Sequence, residues 1–397
     1  MREIQTRNMA VRFGIDELLV SAPIWKKQRI GLITNEAART CHGVQSRKAL
    51  QDAGFNIVTL FSPEHGLDVT GADGVAVADG IDTLTQLPIV SLYGTKLAPD
   101  QDDLLNIDLL VFDVPDTGVR FYTYLWTLSY ALEACARSKK KIIVLDRPNP
   151  ISGNLTLVEG PFLEEPCASF IGRWNMPVRH SCTLGELAQY FNEQQNIQAD
   201  LAIILCKDWD RTMFQPNWGT PFVATSPAIQ SYQSMLLYPG LCFLEATNLN
   251  EGRGTEFAFQ QIGAPWLNNT ALCSTINNLM DGDIKATAVQ YTPTANHFKG
   301  EKCKGIRFEV KDPEAFKPVF FGLILLKLIK DMHPNYFAWD VYKTNVNATG
   351  ANHLDKLTGM LNSEGFFEFP FANFLQKITI ATARNSWEKT IQPYLLY

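Results

Sequence analysis

A chain of 397 residues with 46% hydrophobic and 19% charged residues carries enough apolar material for two packed cores, and no stretch pairs low hydrophobicity with high charge as disorder requires. Its 35 Lys and Arg against 41 Asp and Glu leave a net charge of −6 without long runs of either sign, which argues against a nucleic-acid or anionic-membrane partner. The longest apolar stretch, Val319 to Ile329, is interrupted by Lys327 and is too short to span a bilayer, so no membrane span is expected.

The elements predicted in chain order describe an α/β protein. Short β-branched runs at Arg29–Thr34, Asn56–Phe61, Pro88–Leu92, Leu109–Asp113, Lys141–Asp146 and Leu201–Leu205 alternate with helical stretches, the pattern of a parallel sheet covered by helices. Phe121, Leu125, Leu128 and Leu132 fall at helical spacing within a helix predicted over Gly118–Arg137, and Thr183-Leu-Gly-Glu186 reads as the capping box of another. After Pro239 the composition changes, to a strand-like Gly305–Val310, an apolar helix over Pro313–Met332 and aromatic-rich C-terminal segments. The expected division is a Rossmann-like N-terminal domain over residues 1–235 and a smaller α+β C-terminal domain over 236–397 that closes a cleft. The basic start lacks an apolar export segment, and eight scattered cysteines show no CxxC pair, so reduced thiols in the cytoplasm are expected; a leader removed upstream would instead place the chain in the periplasm or outside the cell.

In open α/β sheets ligands bind beyond the carboxyl ends of the strands. Here those segments are Ser62-Pro-Glu-His-Gly66, Tyr93-Gly94, Asp113-Val-Pro-Asp116 and Asp146-Arg-Pro-Asn-Pro150, which would gather Glu64, His65, Asp113, Asp116, Asp146 and Arg147. Plainer roles exist for most of them: Asp116 suits a helix N-cap, Asp146 with Arg147 a structural ion pair, and His65 a turn beside Gly66. Glu64, between Pro63 and His65, has no obvious capping duty. The Gly- and Asp-rich Leu67–Gly80 loop suits a mobile cover. Further on, Glu245 to Thr255 interleaves polar side chains with glycines, and His180 stands before the capping box as either a ligand or a packed structural histidine.

No GxGxxG or GxxxxGK[ST] cradle follows a strand, no GxSxG elbow is present, and the histidines His42, His65, His180, His297, His333 and His353 form no HxH or HExxH pair. No cofactor and no metal is therefore expected. The carboxylates, arginines, tyrosines and asparagines that remain suit acid/base cleavage of a polar substrate better than redox or phosphoryl transfer.

The motifs Gly31-Leu-Ile-Thr-Asn35, Leu60-Phe-Ser-Pro-Glu-His-Gly66, Ser91-Leu-Tyr-Gly94, the run from Val111 to Tyr124, Leu145-Asp-Arg-Pro-Asn-Pro150, Val158-Glu-Gly-Pro161 and Asn248 to Gly254 resemble, in order, the NamZ-type exo-β-N-acetylmuramidases. The resemblance runs from about Phe13 to Tyr397 and implies a Rossmann-like domain, a smaller second domain, a cleft between them, and release of N-acetylmuramic acid from non-reducing ends of peptidoglycan fragments. One departure, Phe243-Leu-Glu-Ala-Thr247, leaves the role of Glu245 open.

Chemistry then assigns expected roles. Glu64 is the general acid, with His65 beside it, and Asp116, or less favourably Glu251, is the second carboxylate. Arg120, Arg147 and Arg253 are candidates to grip the lactyl carboxylate of the sugar with their planar donors. Asn35, Tyr122, Tyr124, Asn149, Glu159, His180 and Asn248 complete the candidate substrate contacts. Whether the anomeric configuration is retained, and whether the 2-acetamido group itself attacks, stay open at this point. Two other readings compete: a non-catalytic cell-wall sugar-binding protein, and an ester or amide hydrolase, for which no nucleophile elbow or metal cluster speaks.

Overall fold

In a computed structural model, which describes residues 10–280, 282–384 and 386–397, the N-terminal part is built on nine strands. They are β1 (Ile30–Thr34), β2 (Ile57–Ser62), β3 (Gly80–Ile81), β4 (Pro88–Ser91), β5 (Leu109–Asp113), β6 (Lys141–Leu145), β7 (Glu159–Phe162), β8 (Pro177–Arg179) and β9 (Asp200–Ile204). Seven of them form one sheet in the order β3-β4-β2-β1-β5-β6-β9, parallel throughout except for the short edge strand β3. β7 and β8 form a separate antiparallel ribbon.

The continuous apolar runs are the reason for the parallel arrangement. Every residue of β1 and β5 is buried, as a sheet covered on both faces demands. Successive side chains point to opposite faces, so Ile33, Phe112 and Val144 pack on the helix Tyr124–Ser138, while Leu32, Val111 and Leu145 pack on Ile15, Leu18 and Leu50 of the other layer. The first of these two cores runs on into the C-terminal part through Phe243, Ile262, Ile306 and Leu325.

The C-terminal part adds β10 (Gln261–Ala264), β11 (Ile284–Tyr291) and β12 (Cys303–Val310), an antiparallel sheet in the order β10-β12-β11, with helices at Asn269–Leu279 and Pro318–Met332. The chain is thus an α/β protein with a mostly parallel N-terminal sheet and a smaller α+β C-terminal part, as the sequence pattern suggests. Among the described residues no helix is long and apolar enough to cross a membrane, and all eight cysteines are free thiols.

Two helix starts differ from the sequence reading. The helix expected from Gly118 begins at Tyr124, because the preceding residues pair elsewhere: Val119 bridges to Arg179, the Arg120 amide donates to Val178 O at 2.8 Å, and the chain then turns, with the Tyr122 amide on Val119 O. The helix expected from Pro313 begins at Pro318, since Asp312 caps a separate turn through the amides of Glu314 and Ala315. The first of these corrections matters to function, because the non-helical 118–123 segment carries Arg120, Tyr122 and Thr123.

Candidate active site

Glu64 follows β2 directly and is turned inward by a sharp reversal, His65 at φ 69° and Gly66 at φ 76°. A left-handed backbone at a histidine costs energy that packing must hold, a feature common at functional positions. The His65 ring is fixed by its Nδ1–H, which donates to Gly71 O at 2.9 Å. Glu64 is only 5% exposed. One of its oxygens, Oε1, accepts the Gly74 amide at 2.9 Å and the other, Oε2, the Thr123 hydroxyl at 2.7 Å. An amide can only donate, whereas a hydroxyl can turn and accept, so a proton on this carboxyl belongs on Oε2.

Around Glu64 lies a recess built from both halves of the chain. His65, Asp73, Tyr93, Tyr122 and Thr123 come from the N-terminal part, and Tyr238, Glu245, Arg253, Phe259, Tyr342 and His353 from the C-terminal part. Tyr122 lies edge-on to Tyr124 at 4.8 Å, and both hydroxyls donate to Thr225 O, at 2.9 and 2.8 Å. Tyr124 itself is fully buried and braces the main chain of Glu64 through a 3.3 Å bond to its carbonyl.

A second carboxylate, Asp73, stands opposite Glu64. An oxygen of each, together with a ring nitrogen of His65, lies within 4.8 Å of the others. Arg253 Nη2 is 3.3 Å from Asp73 Oδ2, and the Tyr342 hydroxyl donates to the same oxygen. Arg253 also meets Glu245 and Glu251, each at 2.7 Å, and lies 4.7 Å from the centre of the Phe259 ring. His353 Nε2 is 3.2 Å from Glu245. With Arg253 on Asp73, and amide and hydroxyl on Glu64, the donor set suits proton chemistry better than an ion bound by this trio.

These environments push the two carboxyls apart. Burial, the largest influence, raises the pKa of Glu64, and the charge of Asp73 raises it further against the opposing pull of His65, Thr123 and Gly74. Burial alone would raise Asp73 as well, but Arg253, His65, Tyr342 and His353 together outweigh it and hold Asp73 below the usual carboxylate value. Two carboxyls with opposite shifts at one site are the arrangement that acid catalysis beside an ionised partner calls for.

Several residues expected at the site lie elsewhere. Asp116 lines a separate crevice with Phe13, Arg39, Arg147 and Trp218; it accepts the Gly118 amide at 3.0 Å and faces His180 Nε2 at 3.3 Å. His180 is wholly buried, its Nδ1 accepting the Cys182 amide, so it is a packed structural histidine. Arg147 does not pair with Asp146 but with Asp113, through both of that carboxylate's oxygens at 2.6 and 3.0 Å. Asp146 instead caps the helix Leu184–Gln194, accepting the Thr183 hydroxyl and the Gly185 amide.

Arg120 is fully buried and donates to three carbonyls, Pro161, Met176 and Leu357, so it cannot reach a substrate. Asn149 bonds Cys182 O and the Ile151 amide, and Asn35 the amides of Ala37 and Ala38. Glu159 accepts the amides of Val319 and Phe320 at the start of the helix Pro318–Met332, and Asn248 ties down Tyr336 and Ala338. Glu251 supports Arg253 from behind and accepts Asn296. Of the three arginines considered for the lactyl carboxylate only Arg253 lines the recess, and it already carries carboxylates of the protein.

Asp73, Thr123, Tyr342 and His353 were not anticipated. Asp73 had a local signal, a carboxylate between glycines in Gly71-Ala-Asp-Gly74, whereas Tyr342 and His353 reach the recess only through tertiary packing. The Leu67–Gly80 loop, expected as a mobile cover, is pinned in this structure by the Val77 amide on Tyr93 O, Asp79 on the Ser91 amide, and Asn345 on Gly74 O.

Comparison with known proteins bears on the whole chain. The family profile described as exo-beta-N-acetylmuramidase NamZ, N-terminal, matches residues 30–233, and its C-terminal counterpart matches 236–397. The peptidoglycan beta-N-acetylmuramidase NamZ of Bacillus subtilis (strain 168) is 38% identical over 389 residues, 97% of this chain and 89% of that protein. Two crystal structures of DUF1343 family proteins from Bacteroides fragilis NCTC 9343 superpose with TM-scores of 0.85 and 0.69, at 26% and 25% identity, each over 98% of this chain and 99% of the other. On these grounds the chain belongs to the NamZ exo-β-N-acetylmuramidase family.

Proposed function

We propose that this chain is an exo-acting glycoside hydrolase that releases N-acetylmuramic acid from the non-reducing ends of peptidoglycan fragments, with Glu64 as general acid and Asp73 as its ionised partner. The observation that carries this reading is the carboxyl pair itself: Glu64 buried and biased toward its protonated form, Asp73 within 4.8 Å and held ionised by Arg253.

In the first step the Glu64 Oε2 proton passes to the glycosidic oxygen as the bond from C1 to that oxygen breaks. Asp73 stabilises the positive charge that develops at the ring, either by attacking C1 or by holding the 2-acetamido N–H while the acetamido carbonyl oxygen attacks. In the second step water adds at C1 as the bond from C1 to Asp73, or to the acetamido oxygen, breaks, and the water gives its proton to Glu64, which restores the acid. A pair this close leaves no room for a water between acid and base, which speaks for retention of configuration; inversion needs about 6.5–9.5 Å. Tyr93, Tyr238 and Phe259 supply aromatic walls on which a sugar ring packs.

Incubation with a disaccharide bearing non-reducing N-acetylmuramic acid, followed by chromatography, tests the reading. Free N-acetylmuramic acid is expected. Sugar retained by the protein without product would favour the binding-protein alternative.

A further inference from the structure

Asp73 sits on a loop, and its side chain is 32% exposed. A carboxylate placed this way needs anchors to hold one direction, and it has two of different kinds. Arg253 supplies charge through a contact of 3.3 Å, and Tyr342 supplies a directed hydroxyl.

Tyr342 belongs to a segment of the C-terminal part, 338–350, that has no helix and only isolated bridges. Its root is fixed where Trp339 pairs with Thr247, the Asn248 amide meets Ala338 O at 3.0 Å, and the Asp340 amide meets Ala246 O at 2.9 Å. Its tip lies on the N-terminal part, where the Asn345 amide donates to Gly74 O at 2.7 Å and its side chain to Gly94 O at 3.0 Å. The approach is tight: a Cβ on Gly74, at φ 68°, would come within 2.7 Å of the Thr344 side chain, so glycine is required there. Between root and tip, the Tyr342 ring stacks on His353 at 4.6 Å and 17°, which sets the ring plane independently of the hydroxyl.

We propose that Tyr342 is a positioning residue for hydrolysis: the C-terminal part delivers its hydroxyl to Asp73 and so fixes that carboxylate opposite Glu64. This rests on the reading of Glu64 and Asp73 as the hydrolytic pair. The reacting carboxyls both come from the N-terminal part, but their geometry is completed only when the 338–350 segment lies over the 71–74 turn, whose Gly74 amide also holds Glu64. The groups facing Asp73 are Glu64 and His65 beyond β2, Arg253 from the Asn248–Gly254 loop, and Tyr342 and His353 from the C-terminal segments, with Tyr93 and Glu245 next to them.

Tyr342→Phe keeps the ring stack and removes only the donor. A hydroxyl donating to a carboxylate favours its ionised form, so losing it raises the pH at which Asp73 ionises. The variant should lose about tenfold in kcat with KM changed less than about twofold, and its acid limb should move to higher pH by about half to one unit, with an unaltered unfolding midpoint. An acid limb that stays in place overturns the proposal, whatever happens to kcat. Glu64→Gln in parallel separates the two ideas: an inactive Glu64→Gln with an unmoved Tyr342→Phe profile removes Tyr342 alone, while a fully active Glu64→Gln overturns the pair and with it the role of Tyr342.

Discussion

Glu64 and Asp73 are separated by one short loop in sequence and bring carboxylate oxygens within 4.8 Å of each other, yet only Asp73 has an arginine on it. That asymmetry assigns their roles. If both carried a full negative charge in so little water, each would raise the pKa of the other; the Arg253 guanidinium decides which of the two stays ionised.

The first prediction concerns stereochemistry. A carboxyl pair this close implies that the sugar is released with the configuration it had in the substrate. Proton NMR early in hydrolysis should show the β-anomer of free N-acetylmuramic acid before mutarotation. An α-anomer appearing first would contradict the close-pair mechanism.

Asp73→Asn and Asp116→Asn should part company. Asp73 faces the recess, and its neutral amide removes the charge that stabilises the ring cation, so kcat should fall by at least about a hundredfold. Asp116 faces a different crevice and His180, so its amide variant should stay within a few-fold of wild type. The reverse order would restore Asp116 as the second carboxylate.

Arg120 joins the two parts of the chain by bonds to Pro161, Met176 and Leu357 carbonyls, and burial lowers its pKa to about 9. Arg120→Ala would take the guanidinium donors from three buried carbonyls, of which Met176 O keeps the Leu163 amide, for a loss of about 3 kcal/mol in unfolding free energy by denaturant titration. A change below about 1 kcal/mol would show that water replaces the guanidinium.

Glu159 predicts a pH dependence of stability. Burial raises its pKa to about 7, above the ordinary value of 4.5, so the folded chain binds its proton more tightly than the unfolded chain does. Its contribution is fully present below about pH 4.5 and is lost as pH rises through about 7, by up to about 3 kcal/mol. Glu159→Gln cannot ionise and should flatten that decline, leaving a smaller slope from Asp146, which is raised to about 6. An equally steep slope in the variant would show that Glu159 titrates normally.

The sheet was legible in the sequence because parallel strands buried on both faces leave continuous apolar runs, and strand ends such as those of β2 and β5 fall within a residue of where those runs stop. The position of Glu64 was legible for the same reason, since it follows such a run. Its partner was not. The order of strands places Ala37, Pro115 and Arg147, beyond β1, β5 and β6, around one crevice, while Glu64 and Tyr93, beyond β2 and β4, face another. Treating all strand ends as one crevice therefore brought Asp116 to Glu64 wrongly. The helix spacing also hid the bridge-and-turn segment 118–123, whose pairing with β8 at Val119 and Arg120 keeps it out of the helix. Tyr342 lies in a segment without regular structure and His353 opens the short helix His353–Thr358, and only packing of the C-terminal part on the loop after β2 gives them a place at the recess.

The most direct test of the account is the pH dependence of chromophore release from an aryl β-N-acetylmuramide by wild type and Glu64→Gln. Wild type should give a bell, falling as pH rises through the raised pKa of Glu64 and as it drops through the lowered pKa of Asp73. Glu64→Gln, folded as judged by its unfolding midpoint, should lose at least about a thousandfold in kcat for a natural disaccharide, and whatever residual activity remains on an activated aryl leaving group should lack the basic limb. Turnover near wild type with the basic limb intact would contradict the assignment of Glu64 as the acid.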